Sequence, residues 1–365
     1  MKAVILAGGE GTRLRPLTWT TPKQMLPIVE VPMIERVVTH LRRGGIDEVI
    51  LSLGYRPDAF RRRYPDGTIA GAAITYVVEP EPLDTAGAIR FAAERGNVDA
   101  AFVVVNGDVL CDLDLAALVR FHAESRAEAT IALTPVEDPS AFGVVPTDDA
   151  GRVVAFIEKP PRDSAPTNFI NAGIYVLEPS VLQRIPEGRR VSVEREIFPS
   201  LADAGALYAL RSDAYWIDTG TPAAYLAVQH DILSGRRAGF VPPVDGARQV
   251  RPGVWVLGSA TGAESARPPS FISTGARIAP GAHVAGSVVG SGAQIDAGAV
   301  VEGSVLFSGV RVGAEAVVSG SVVGAGAVIS EHAEVTEESV VGDGTVVPAG
   351  VQVRSGRVPE TGVVS

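Results

Sequence analysis

The 365-residue sequence predicts a doubly wound α/β sheet in its first two thirds and a triangular parallel β-helix in its last hundred residues. Three observations carry that expectation. Short apolar runs alternate with amphipathic helical stretches over the first hundred residues, as in a parallel sheet flanked by helices. A glycine-rich, basic stretch follows the first apolar run directly. From residue 272 onward, aliphatic residues recur at a fixed spacing of five or six.

Taken in order, Ala3-Val4-Ile5-Leu6 reads as the first buried strand. Residues 7–27, AGGEGTRLRPLTWTTPKQMLP, come next. Without Cβ atoms, Gly8, Gly9 and Gly11 let the backbone approach a ligand and aim N–H groups at anionic oxygens. Arg13, Arg15 and Lys23 add fixed positive charge, the combination that a polyphosphate requires. The stretch is neither GxGxxG nor GxxxxGK[ST], and GGxG by itself is a common flexible connection. Residues 33–43 predict a helix with Met33, Ile34, Val37, Val38 and Leu41 on one face and Glu35, Arg36 and Arg42 on another, stopped by Gly44-Gly45. Residues 49–51 and 74–78 read as strands, and 84–95 as a helix with Asp84 as its N-cap. The strand at 101–105 ends in Asn106-Gly107-Asp108, which sets the glycine loop and Asp108 at the same carboxyl edge of the sheet.

Between residues 130 and 216 shorter strands alternate with loops, among them 153–157 leading into Glu158-Lys159-Pro160. Residues 222–233 predict a closing helix, and the Pro- and Gly-rich stretch that follows reads as a linker. Then the rule changes. Ile, Val or Leu occupies 272, 278, 284; 289, 295, 301; 306, 312, 318; 323, 329, 335; and 341, 347, 353, although these residues fill only 25 of the 82 positions from 272 to 353. The triplets start 17, 17, 17 and 18 residues apart. Three six-residue sides per turn, with one corner shortened, is the arithmetic of a triangular parallel β-helix. The expected organisation is a first domain at 1–237, a linker at 238–255 and a solenoid at 256–365.

Composition narrows the class of function. With 32 Lys+Arg against 42 Asp+Glu, the net charge of -10 argues against a general nucleic-acid binder. The single cysteine, Cys111, excludes an internal disulfide framework and suits a reducing cytoplasm. No apolar run of about 18 residues and no signal-peptide pattern is present, so no membrane association is expected and a cytoplasmic location is.

The string from Gly8 to Pro27 fills every specified position of GGxGTRLxPLTxxxPKxMLP, and on it the chain resembles the sugar-phosphate nucleotidyltransferases, the nucleotide-sugar pyrophosphorylases. Further on, Phe156-Ile157-Glu158-Lys159-Pro160, Ser192 to Pro199 (SVEREIFP) and Tyr215 to Pro222 (YWIDTGTP) look like that family's elements, the last two most like those of the mannose-1-phosphate guanylyltransferases. The resemblance implies a Rossmann-like mixed sheet followed by a left-handed β-helix. It implies transfer of a nucleotidyl group to a sugar 1-phosphate with release of pyrophosphate, and Mg²⁺ as cofactor. It assigns Asp108 and Asp218 as metal ligands and, with Arg13 and Lys23, as the catalytic set. Arg13 would hold the departing phosphates and Lys23 the α-phosphate. The nucleotide site would comprise Leu6, Gly8, Gly9, Gly11, Thr12, Arg13, Lys23, Glu79, Pro82 and Asp84, and the sugar-phosphate site Gly143, Glu158, Lys159 and Asn171.

Base choice rests on Glu79. Guanine presents two adjacent N–H donors that one carboxylate can pair, whereas thymine and uracil present one N–H between carbonyls, which suits an amide better. An acidic Glu79 therefore favours GTP, and the resemblance to the mannose-1-phosphate guanylyltransferases implies mannose 1-phosphate as the sugar substrate. Asp84 stands where the family commonly carries Gly in an LGTAG string. No general base is needed, because the attacking phosphate oxygen is already anionic, and the five histidines lie outside the motifs. Three alternatives stay open at this point: a glucose-1-phosphate thymidylyltransferase or other nucleotide-sugar synthase, a non-catalytic regulatory subunit, and a bifunctional enzyme with an acyltransferase solenoid. For the last, only His283 and His332 are available, and both are expected on exposed corners. The solenoid's open ends and flat faces suit assembly, and a homo-oligomer is expected.

Overall fold

The structure is a computed structural model that describes residues 1–237 and 242–360. Two compact units divide the chain: Met1–Gly9 with Ile34–Ile217, and Glu10–Met33 with Asp218 onward.

In the first unit the parallel strands β1 (Lys2–Ala7), β2 (Glu48–Leu53), β3 (Ala72–Val78) and β4 (Phe102–Asn106) lie in the order β4-β1-β2-β3. Beyond β4 the sheet turns antiparallel through β6 (Phe169–Leu177), which pairs with β4, with β5 (Ala129–Pro135) and with Gly143–Val144. β7 (Leu207–Arg211) runs parallel to β5, so the sheet is mixed. Helix α1 (Met33–Arg43) buries all five residues of its predicted apolar stripe. The stripe is wider than the pattern suggested, because Arg36 is also buried. Helix α2 (Asp84–Arg95) packs Ile89, Ala92 and Ala93 into a core with Val4, Ile50, Val104, Tyr175 and Phe198. Each fully buried large side chain contributes about 1.5–3 kcal/mol. The run at 153–157 is not a continuous strand: only Ile157–Glu158 pairs regularly, Val153 makes an isolated bridge to Thr147, and Val154 is exposed.

In the second unit a parallel β-helix follows. Among the described residues its strands form one sheet of eight and two of five, parallel apart from the first strand, Arg248–Arg251, which runs antiparallel to Val254–Val256. The first of these strands and all but the last residue of the second fall in the expected linker, 238–255, whose residues 238–241 are outside the described set. Fourteen of the fifteen periodic aliphatic positions are buried and the last, Val353, is partly so. Their registers stack Ile272 on Val289, Leu306, Val323 and Val341, and Ile278 on Ile295, Val312, Ile329 and Val347. The extra residue of the last coil has a place: a corner made by one glycine in three coils (Gly286, Gly303, Gly320) is made by Glu337 and Glu338, both left-handed. A buried serine ladder beside that corner is satisfied internally, with the amides of Ser304 and Ser321 donating to the hydroxyls of Ser287 and Ser304 at 3.1 Å each. His332 sits at an exposed corner as expected, whereas His283 lies half-buried in the strand His283–Ala285.

One buried titratable group in the first unit ties helix α3 (Leu115–Ser125) to the sheet. His122 contacts the Thr130 hydroxyl through Nδ1 at 2.8 Å and Glu178 through Nε2 at 3.3 Å. Burial holds its pKa below the ordinary imidazole value, against the opposing pull of Glu178. The unfolded chain therefore takes up this proton first, and stability falls as pH drops below about 6.5. The melting temperature is expected to fall between pH 7.5 and pH 5.5, and to fall measurably less in His122→Gln; equal drops would remove His122 as the cause.

Candidate active site

The chain leaves β1 through Gly8, which lies close to Gly54 and Glu79. Glu79 follows β3, and its Oε1 would lie 3.3 Å from a Cβ added at Gly8. The carboxylate accepts from the Ser52 hydroxyl and from the Leu83 amide, each at 3.1 Å, and burial raises its pKa. Asp108 follows β4, and the amide of Gly107 donates to the carbonyl of Leu6 at 2.9 Å. Gly8, Glu79 and Asp108 thus leave the carboxyl ends of three parallel strands of one sheet, where ligands of such sheets bind.

Asp84 is not the helix cap that its position suggested. It holds left-handed backbone (φ 60), the conformation that explains a glycine in the usual string. Its Oδ1 accepts from Thr85 N at 2.9 Å and its Oδ2 from Arg195 Nη2 at 2.8 Å. The next amides of α2, Ala86 and Gly87, donate to the carbonyl of Val191. Glu194 accepts from the hydroxyls of Thr85 and Ser192 at 2.7 and 2.8 Å. The SVERE segment is thus a clamp on residues 83–87, a role its sequence did not reveal. Pro82 is exposed beside it.

At the antiparallel edge, Gly143 lies opposite Glu158 in register, and a Cβ on Gly143 would meet the Phe156 ring and approach Glu158 Oε2 to 3.2 Å. Lys159 is exposed, with its amide bonded to the Phe142 carbonyl at 3.0 Å and its Nζ 3.5 Å from Glu158 Oε1. Gly143, Glu158 and Lys159 come together here. Asn171 sits at a register shift in β6, where its Oδ1 accepts from Gly173 N and its Nδ2 donates to the Tyr175 hydroxyl, both at 2.9 Å. Its amide is therefore engaged in shaping the strand.

In the second unit three short turns, Thr12–Leu14, Leu17–Trp19 and Lys23–Met25, carry the basic residues. Gly11 opens them with φ 63, and a Cβ there would press within 3.0–3.1 Å of Thr18 and Lys23. Thr12 and Arg13 are exposed, whereas Lys23 is buried. Both cations face one carboxylate: Lys23 Nζ lies 3.6 Å from Asp218 Oδ1 and Arg13 Nη2 lies 4.0 Å from Oδ2. Asp218 is fixed in turn by the Gly220 amide, which donates to Oδ1 at 2.8 Å. A Cβ on Gly220 would overlap the Arg13 guanidinium, which accounts for the glycine of the WxDxG element. Among the described residues no group of three or more His, Cys, Asp or Glu side chains could hold a metal by itself.

This geometry can be set beside known proteins. The chain matches the family described as nucleotidyl transferase over residues 2–235 and the GMPPB C-terminal domain over residues 266–364. It belongs to the nucleotidyl transferase family. It is 42% identical over 297 residues to a mannose-1-phosphate guanylyltransferase of Mycobacterium tuberculosis, a match spanning 79% of each chain. It is 43% identical over 234 residues to a probable mannose-1-phosphate guanylyltransferase 2 of Arabidopsis thaliana, covering 62% of this chain and 63% of the plant protein. Among solved structures it resembles HddC from Yersinia pseudotuberculosis complexed with GMP-PN, with 30% identity and a TM-score of 0.55, covering 63% of this chain and 98% of that one.

Within this nucleotidyltransferase the clash at Gly220 gives a sharp test. The group displaced is mainly the far end of a flexible arginine, so Gly220→Ala is expected to melt within about 3 °C of wild type. Its rate of pyrophosphate release is expected to drop at least about tenfold, because the guanidinium is pushed from its place. An unchanged rate would mean that the position of Arg13 is immaterial.

Proposed function

We propose that the protein transfers the guanylyl group of GTP to mannose 1-phosphate, forming GDP-mannose and pyrophosphate by direct in-line displacement. The observation that carries this reading is the convergence of Arg13 and Lys23, both on the glycine-rich segment, at the carboxylate of Asp218. Arg13 binds the departing β,γ-phosphates, and its exposure suits a group that must let pyrophosphate go. Lys23 is held at the α-phosphate, where its burial strengthens its field. Lys159 and Glu158 receive the sugar phosphate and the sugar hydroxyls. Two like unit charges about 4 Å apart repel by roughly 4 kcal/mol at an effective dielectric near 20, so aligning two anionic substrates is the main task.

The family's chemistry uses a divalent ion, and magnesium is the one this donor set fits. Asp108 and Asp218 are each a hard carboxylate of the kind magnesium takes one or two at a time, completing its shell with water and substrate phosphates. Bound there, it would neutralise developing phosphoryl charge. Glu79 supports guanine, since its carboxylate can accept from two adjacent N–H groups. A cytoplasmic location fits the one free cysteine, Cys111, and the absence, among the described residues, of any helix long and apolar enough to cross a membrane. We also infer assembly with further copies of the chain through the solenoid.

A panel of five nucleoside triphosphates against mannose and glucose 1-phosphates, read by pyrophosphate release, tests the whole assignment; preference for TTP with glucose 1-phosphate would replace it. Arg13→Ala is expected to fold normally, since the side chain is exposed, and to lose about 10²–10³-fold in turnover. Near-normal turnover would refute its role. Glu79→Gln is expected to cut kcat/KM for GTP by about 10–100-fold, the value of a charge-assisted pair, while changing TTP use less than about threefold. Equal losses for both nucleotides would exclude base recognition by this residue.

A further inference from the structure

The glycine-rich segment ends in a hairpin, Pro27–Ile28 against Val31–Pro32, whose two turn residues both hold left-handed backbone: Val29 at φ 46 and Glu30 at φ 66. Such turns are ordinarily built from Asn-Gly or Asp-Gly, and a β-branched residue at positive φ persists only where its surroundings hold it. The holding groups come from two places in the same unit. Helix α4 (Pro222–Leu233) presents Gln229, whose Oε1 accepts from Val29 N at 2.6 Å and whose Nε2 donates to the Pro27 carbonyl at 3.1 Å; the Tyr225 hydroxyl donates to that carbonyl as well. The solenoid presents Ser273 and Ser291, from successive coils, whose hydroxyls lie 2.9 Å apart and each reach Glu30 Oε2 at 3.0 Å.

A second attachment lies earlier on the segment. The Thr20 hydroxyl donates to Asp343 Oδ2 at 2.6 Å, and Asp343 Oδ1 is fixed by the amide of Ala325 at 2.8 Å. Pro16 packs so closely on Gly342 that a Cβ there would come within 3.1–3.2 Å of its ring. Lys23 lies between the two attachments.

We propose that the solenoid is a positioning frame for residues 10–33, and that Glu30 is the positioning residue through which it acts. By engaging Ser273 and Ser291, Glu30 keeps a strained turn closed and Lys23 in reach of Asp218. Glu30 touches no reacting atom. A glycine at this position would make the turn without strain, so the serine hydrogen bonds are what offset the glutamate's backbone cost. The inference rests on the reading of Lys23 and Arg13 as phosphate-holding groups.

Substitution separates the tether from the turn. Glu30→Gly relieves the backbone and removes the tether, and Ser273→Ala with Ser291→Ala removes it from the other side. In the full chain, both variants are expected to melt within a few degrees of wild type. Hydrogen exchange across residues 20–30 should quicken at least tenfold, and kcat should fall at least tenfold with the KM for sugar phosphate changed less than threefold. Combining the two should add little, and Glu30→Gln should recover part of the loss. Unchanged exchange, or faster exchange with wild-type kcat, would overturn the proposal. Should the wild-type protein transfer no nucleotide to any sugar phosphate, the reading of the site fails, and the exchange measurement still decides whether the solenoid holds the segment.

Discussion

A carboxylate that holds two cations side by side solves one problem and creates an opportunity. Arg13 and Lys23 would repel each other if brought to a common point alone; Asp218 removes that cost by sitting at 3.6 and 4.0 Å from them. The distances matter as much as the pairing. Charge-assisted hydrogen bonds close to about 2.7–2.9 Å, so neither cation is bound to Asp218 at its tightest. A polyphosphate, with more charge and better-spaced oxygens, can compete for both donors without dismantling a strong ion pair. The Gly220 amide, which donates to Asp218 Oδ1 at 2.8 Å, holds that carboxylate between the two cations.

Rigidity of that arrangement is supplied from a distance. The 10–33 segment is a series of single turns and a two-residue hairpin whose own hydrogen bonds are almost all local, and a segment of that kind opens readily unless packed. Helix α4 and the solenoid provide the packing, through a proline carbonyl held by Tyr225 and Gln229 and a glutamate held by two stacked serines. A parallel β-helix suits the task because its coils repeat rigidly, so hydroxyls on successive turns arrive at one point.

What was legible in the sequence follows from how local each determinant is. The solenoid could be read because its core consists of the same residue class at a fixed period, and α1, α2 and α4 because their apolar positions and stop signals are local. Arg36 could not be placed, since only packing decides how far a helix is buried around its girth. Asp84 read as a cap because Asp before a helix ordinarily caps; its left-handed backbone and its pairing with Arg195, 111 residues away, are tertiary facts. The clamp formed by SVERE was invisible for the same reason. The strand expected at 153–157 failed because a run of β-formers needs a partner along its whole length, and Val154 has its side chain in solvent. Of the site, the motif pattern named Arg13, Lys23 and Asp218, but nothing local indicated that the three would meet, or that Asn171 would be occupied in shaping its own strand.

A net charge of -10 opposes binding of a triphosphate, and the resolution lies in range. At physiological ionic strength the Debye length is about 8 Å, so most of the 42 carboxylates are screened from a ligand held at one edge of the protein. What the ligand meets is the local balance, in which Lys23, buried at 4% exposure, is shielded from water and weakly screened by salt. The same reasoning predicts which charges matter: adding salt should weaken the contribution of exposed Arg13 and Lys159 well before it weakens that of Lys23.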